Sequence, residues 1–172
     1  MLTKEQKKWL EHLSGDSKIK IAPFDPSCYE KFKKVKAIIK AKLGKATKVE
    51  HRGATRLGIS GQDEIDVYVP VPPEAFDEYL KYLKELFGEP RSHYALGRAR
   101  FVTFEEGKHV DVFLINEEHA DWLKSAKFES YLLSHPEALE EYKKLKEAGD
   151  GLSVREYYRR KLEFINGILA KA

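Results

Sequence analysis

VEHRGATRLGISGQDEIDVYVPV, residues 49–71, places an extended segment, a glycine turn and a second extended segment within one short span. In Glu64–Val71 the residues alternate: Ile65, Val67, Val69 and Val71 take one side, and Glu64, Asp66 and Tyr68 take the other. A period of two is that of a strand with one buried and one polar face. Ahead of it, Gly53-Ala54-Thr55 forms a turn whose backbone can approach an anion closely and offer its N–H groups. A phosphate cradle beside strand carboxylates is the arrangement that metal-dependent nucleotidyl transfer requires.

The flanking sequence gives this pair a context. Residues 18–22 (KIKIA) alternate like an edge strand. Residues 26–43 carry Phe32, Val35, Ile39 and Leu43 at helical spacing, with Asp25 as a candidate cap and Gly44 as the stop. Residues 46–51 are the strand before the turn, and Pro70 with Pro72-Pro73 ends the acidic strand. A helix follows over 73–87, then strands over 99–104 and 109–115 joined by a hairpin loop at 105–108. Helical segments at 117–133, 136–148 and 153–170 complete the chain, the last opened by Ser153 and Glu156 in a capping-box pattern. Strands fill the first two thirds and helices the last third. The expected class is α+β, a mixed sheet with flanking helices and a C-terminal helical part.

At 172 residues, one domain is expected, with a sheet part over about 15–116 and a helical part over about 117–172. The N-terminal stretch, with Glu5 and Glu11, is too charged for a secretory signal and predicts a short helix turning Leu2, Trp9, Leu10 and Leu13 inward. No apolar run approaches the ~18 residues of a membrane span. One cysteine, Cys28, excludes an intrachain disulfide framework and suits a reducing, cytoplasmic setting. Net charge is only +3, too mild to argue nucleic-acid binding. Charged residues make up 34% of a chain with two Asn and two Gln, a balance that fits a thermophile.

Residues i and i+2 of a strand project to one side, so Glu64 and Asp66 share a face, as do His109 and Asp111. If the two strands are neighbours, Asp66 and Asp111 converge, with Glu64 and His109 beside them. Two or three carboxylates at one point make an oxygen-rich Mg²⁺ site. The other reading of each carboxylate is a solvated or salt-bridged surface group. His51 is either a phosphate contact or a hydrogen-bonded structural histidine. Arg52 and Arg56 flank the glycine turn as anion contacts or solvated side chains. The lysine run Lys31, Lys33, Lys34, Lys36, Lys40, Lys42, Lys45 and Lys48 is a solvated helix face or a dock for RNA. Arg155, Arg159, Arg160 and Lys161 form a second basic cluster.

Five ordered motifs carry a resemblance. They are residues 19–26 (IKIAPFDP); His51-Arg52-Gly53-Ala54-Thr55 leading through Gly58 and Gly61 to Ile65-Asp66; Phe128 to Leu132; His135-Pro136-Glu137-Ala138; and the pair Tyr142 to Lys146 and Tyr157 to Lys161. In these the chain resembles the GrpB family of the nucleotidyltransferase superfamily. The resemblance implies a nucleotidyltransferase-like sheet and two Mg²⁺ ions held by strand carboxylates. It further implies transfer of a nucleoside monophosphate from a nucleoside triphosphate to a hydroxyl, with one carboxylate activating the acceptor. On this reading Asp66, Asp111 and Glu64 are the catalytic and metal residues. Gly53, Ala54, Thr55, Arg56 and His51 surround the phosphates. Three departures stand out. The serine expected after the glycine is Ala54, the second aspartate position is Tyr68, and the lysine before the strand is Gln62. A shifted register, with Glu64 and Asp66 as the acidic pair, restores two carboxylates. The alternative reading is a catalytically degenerate module that binds a nucleotide or another phosphorylated ligand.

Overall fold

Residues 1–171 are described in a computed structural model. The chain divides into two compact units: Phe24–Ile59 with Asp63–Leu123, and Met1–Pro23 with Ser60–Gln62 and Lys124–Ala172. The first carries the sheet and the second is helical.

The sheet unit begins with α2 (Cys28–Leu43), numbered after an N-terminal helix α1 (Lys4–Glu11). Asp25 lies two residues before the N-cap position, Ser27, and its Oδ1 accepts the Ser27 N–H at 2.9 Å. Gly44, at φ 108°, ends α2, and its N–H donates to Lys40 O. Then come β1 (Glu50–Arg52), a five-residue helix α3 (Gly53–Leu57) and β2 (Glu64–Val71). A 3-10 turn, Pro73–Ala75, leads into α4 (Phe76–Phe87). The remaining strands are β3 (Ser92–Tyr94), β4 (Arg98–Glu105) and β5 (Lys108–Asn116).

The sheet order is β1-β2-β5-β4-β3. The central pair β2/β5 is parallel and the other pairs are antiparallel, so the sheet is mixed as expected. The alternation of β2 and β5 sends Ile65, Val67, Val69, Val110, Val112 and Leu114 to one side. There they meet Val35 and Ile39 of α2 and Phe76, Leu80 and Leu83 of α4 in one core. The β4–β5 hairpin turns at Glu106 and Gly107, both at positive φ (49° and 77°), as the twist of a tight hairpin requires.

In the helical unit, α1 opens with a capping box in which Thr3 and Gln6 satisfy each other's backbone N–H groups. Two further helices, α6 (Pro136–Glu147) and α7 (Val154–Leu169), accompany the part of α5 (Ala120–Ser134) from Lys124 onward. Ser153 caps α7 through the Glu156 N–H. Tyr142 packs edge-on to Phe128 and stacks on Phe164, as an aromatic core. The second basic cluster is engaged: Arg155 donates to Leu13 O, and Arg159 and Arg160 both grip Glu156.

Four expectations are corrected. Residues 18–22 form only isolated bridges, Lys18 to Ser153 and Ala22 to Gly61, because the Ile21 N–H goes to the Asp150 carboxylate rather than to a strand. The strand before the glycine turn covers only Glu50–Arg52. Trp9 is not inward: it is 44% exposed, with its ring edge on Tyr158, while Leu10 is buried. The edge strand β3 is new, its three residues being too short to show a period. Among the described residues no helix is long and apolar enough to cross a membrane.

Candidate metal and phosphate site

The face of the sheet opposite the core carries the candidate site residues. Parallel pairing sets Glu64 beside His109, Asp66 beside Asp111 and Tyr68 beside Phe113. Side chains at paired positions share a face, so the expected neighbourhood of Asp66 and Asp111 forms. β4 adds Arg100, paired with Phe113, and Phe104, paired with His109.

The side chains then sort differently from the expected aspartate pair. His109 Nε2 lies 3.1 Å from Asp111 Oδ1 and 3.6 Å from Glu64 Oε2. Ligand atoms of Glu64, His109 and Asp111 all fall within 4.8 Å of one another, and Asp66 stands outside this group. Arg100 Nε donates to Asp111 Oδ1 at 2.9 Å. Asp111 is buried and Glu64 half-buried. Burial pushes the Glu64 pKa up, and the Asp111 charge adds to this against the pull of His109 and Arg100. Two carboxylates thus share this place with one guanidinium and one imidazole, a set of ligand atoms that a cation could join.

Asp66 faces the glycine turn instead. Gly53 sits at φ 75°, a conformation that favours glycine, and a Cβ there would displace the Asp66 carboxylate. The turn itself is the short helix α3, with Ala54 O accepting the N–H groups of Gly58 and Ile59. Arg56 lies on it, exposed. Tyr68 stacks on Phe113 at 4.6 Å and leans on Trp122, over which the Arg52 guanidinium sits at 4.6 Å. Arg52 also pairs with Glu50.

His51 and Thr55 turn the other way. His51 pairs with Val67, whose side chain belongs to the core. Its ring stacks on Phe32 and its Nε2 lies 2.8 Å from the buried Thr55 Oγ1. Burial, with the Arg56 charge behind it, pulls its pKa down to about 4. Of the two readings of His51, its surroundings are those of the hydrogen-bonded structural histidine.

Lysine 108 closes the end of the site. Its side chain, nearly buried, reaches Asp25 at 3.2 Å and also Asp63. It thereby ties together the residues that precede Glu64 and His109. Arg100 and this lysine clamp were missed in the sequence, although Arg98 and Arg100 occupy alternate positions in RARFVTF, the period that marks a polar strand face. Half of the lysine run is ion-paired: Lys33, Lys34 and Lys42 of α2 pair with Glu30, Glu106 and Glu85, and Lys48, beyond the helix, with Glu117.

Comparison with known proteins agrees with this architecture. No curated protein matches the chain. The crystal structure of conserved protein GrpB from Enterococcus faecalis superposes with a TM-score of 0.68 at 21% identity, covering 88% of this chain and 98% of that one. At that identity the likeness concerns the fold. The model of the GrpB protein family matches residues 18–171, nearly the whole length. The chain therefore belongs to the GrpB family.

Proposed function

We propose that the polar face of the sheet binds a nucleoside triphosphate with a divalent cation and transfers the nucleotidyl group to a hydroxyl, as a nucleotidyltransferase-type protein. The observation that carries this reading is the convergence of Glu64, His109 and Asp111 from two adjacent parallel strands. The donor set tests which metal fits. Two carboxylates and an imidazole nitrogen suit Mn²⁺ or another borderline first-row cation, while Mg²⁺ would use the two carboxylates and complete its shell with water and phosphate oxygens. When bound, the cation supplies positive charge to the phosphate oxygens and to the leaving group.

The chain's own groups do the rest. Glu64, the carboxylate that Arg100 does not hold, would accept the acceptor's proton through an oxygen not engaged by the cation. The acceptor oxygen bonds to the α-phosphorus, the bond to the pyrophosphate oxygen breaks, and the hydroxyl proton passes to the Glu64 carboxylate. Arg100 holds Asp111 in place. Asp66, the other carboxylate of β2 on this face, would move from the Gly53 turn before that turn could receive a phosphate.

That seat of Asp66 favours a second reading, the degenerate binding module. With a carboxylate at the glycine turn and no hydroxyl at Ala54, the turn is not arranged for a triphosphate. Such a module would bind a phosphorylated ligand without chemistry. Pyrophosphate release, with Mn²⁺ or Mg²⁺, all four ribonucleoside triphosphates and a pool of hydroxyl acceptors, separates the two. Release that is lost in Glu64→Gln supports the transferase. Binding without release supports the module. Release that survives both Glu64→Gln and Asp111→Asn rules out the carboxylate mechanism.

A further inference from the structure

We propose that Phe104 is the seat of the substrate's nucleobase, so that the ligand of the metal site is a nucleoside phosphate rather than a phosphate alone. This rests on the proposed metal and phosphate site. Three phenylalanines lie on β4 and β5. Phe101 is in the core, and Phe113 is buried beneath the Tyr68 ring. Phe104 is 65% exposed. A single exposed phenylalanine means little in itself. Its position carries the argument. Phe104 is paired in register with His109, and its ring stands edge-on to the imidazole, centroids 5.5 Å apart at 82°. The same imidazole presents Nε2 to Asp111 and Glu64.

An aromatic surface therefore stands one cross-strand step from the atoms that would hold the metal. In a nucleotide, a flat aromatic base is tethered to the phosphates through one sugar. A ligand whose phosphates lie with a cation at Glu64, His109 and Asp111 would bring its base within reach of Phe104. The edge-on contact with His109 also steadies the ring. Stacking accepts any base, because each has a π-face, and no hydrogen-bonding group need select among them. The site is thus expected to favour nucleotides over bare polyphosphate while discriminating weakly between bases.

The test is calorimetric titration in the presence of MnCl₂, comparing inorganic tripolyphosphate with the α,β-methylene analogues of ATP and CTP. The wild type is expected to bind both nucleotides about tenfold or more tightly than tripolyphosphate. Phe104→Ala should bring the nucleotides down to the tripolyphosphate level, and Phe104→Trp should restore the difference. An equal affinity of the wild type for nucleotides and tripolyphosphate overturns the proposal while leaving the metal and phosphate site standing. So does a Phe104→Ala protein that keeps the nucleotide advantage, or one that loses tripolyphosphate in equal measure, which would make Phe104 a structural residue. A wild type that takes up neither Mn²⁺ nor tripolyphosphate removes the underlying site and this inference with it.

Discussion

The two faces of the sheet are made by the same strands and obey opposite rules. On the core face, Ile65, Val67, Val69, Val110, Val112 and Leu114 are sealed beneath α2 and α4. On the other, Glu64, His109 and Asp111 stand together, with Arg100 on Asp111 and Asp66 turned to Gly53. The two histidines make the contrast concrete. His51 is packed into the apolar side, against Phe32 and Thr55. His109 stands between two carboxylates. Burial on the first face fixes the register that brings Glu64, His109 and Asp111 close on the second. The comparison separates residues that hold the structure from residues that a ligand would explain.

Breaking the core face should have the largest effect on stability. Phe101 is fully buried, and Phe101→Ala removes its packing and leaves a cavity, at a cost of about 3–5 kcal/mol. Denaturant unfolding measures this. A loss below about 1 kcal/mol would mean that the sheet is not sealed on that side. The pH dependence comes next. His51 has its folded-state pKa lowered to about 4, against an ordinary value near 6.5. The unfolded chain therefore takes up its proton first. Stability is complete above pH 6.5 and falls as the pH drops towards 4, by about 3 kcal/mol in total from this group. His51→Gln should flatten that window in a series of melts. A wild-type profile with no decline between pH 6.5 and 4 would contradict the buried, neutral imidazole.

Most of the apolar face was legible in the sequence and only part of the polar face was. The period of two in Glu64–Val71 and in 109–115 reports directly on a sheet with one dry side, because burial acts on every second residue. Helix ends at Gly44 and Ser153 were likewise written in local chemistry. What escaped has a common physical cause. Register between β2 and β5 brings Asp66 opposite Asp111, but side-chain torsions then decide which carboxylates meet. Asp66 turns to Gly53, and His109 takes the place beside Asp111. The lysine clamp joins Asp25, Asp63 and Lys108, groups distant in sequence whose meeting only the fold creates.

That clamp is where the two faces can be compared at intermediate cost. Lys108 sits at the start of β5 and pairs with Asp63, the residue before Glu64. Lys108→Met keeps the aliphatic stem and removes the charge, so strand packing survives. A loss of about 1 kcal/mol is expected, partly offset because Asp25 and Asp63 remain open to water. Affinity for Mn²⁺ should fall at the same time, since the strand ends carrying Glu64 and His109 are no longer tied. Calorimetry showing wild-type Mn²⁺ affinity in Lys108→Met would reduce the clamp to a stability feature alone.

The smallest effect on stability should come from the residue placed nearest the chemistry. Burial and the negative Asp111 both disfavour an ionised Glu64, so its charge does not stabilise the folded chain. Glu64→Gln removes that charge and almost no volume. The expected change at neutral pH is a small gain, opposite in sign to the losses expected for Phe101→Ala and Lys108→Met. The proposed metal site further predicts that MnCl₂ raises the melting temperature of the wild type but not of this variant, because a ligand that binds only the folded state shifts the unfolding equilibrium in its favour. Melts of both proteins with and without MnCl₂ read the two quantities together. A residue kept for folding would give the reverse pattern, a loss of stability with the metal response intact. That reverse pattern would return Glu64 to the ordinary polar surface of a strand and leave Asp111 with no carboxylate partner for a cation.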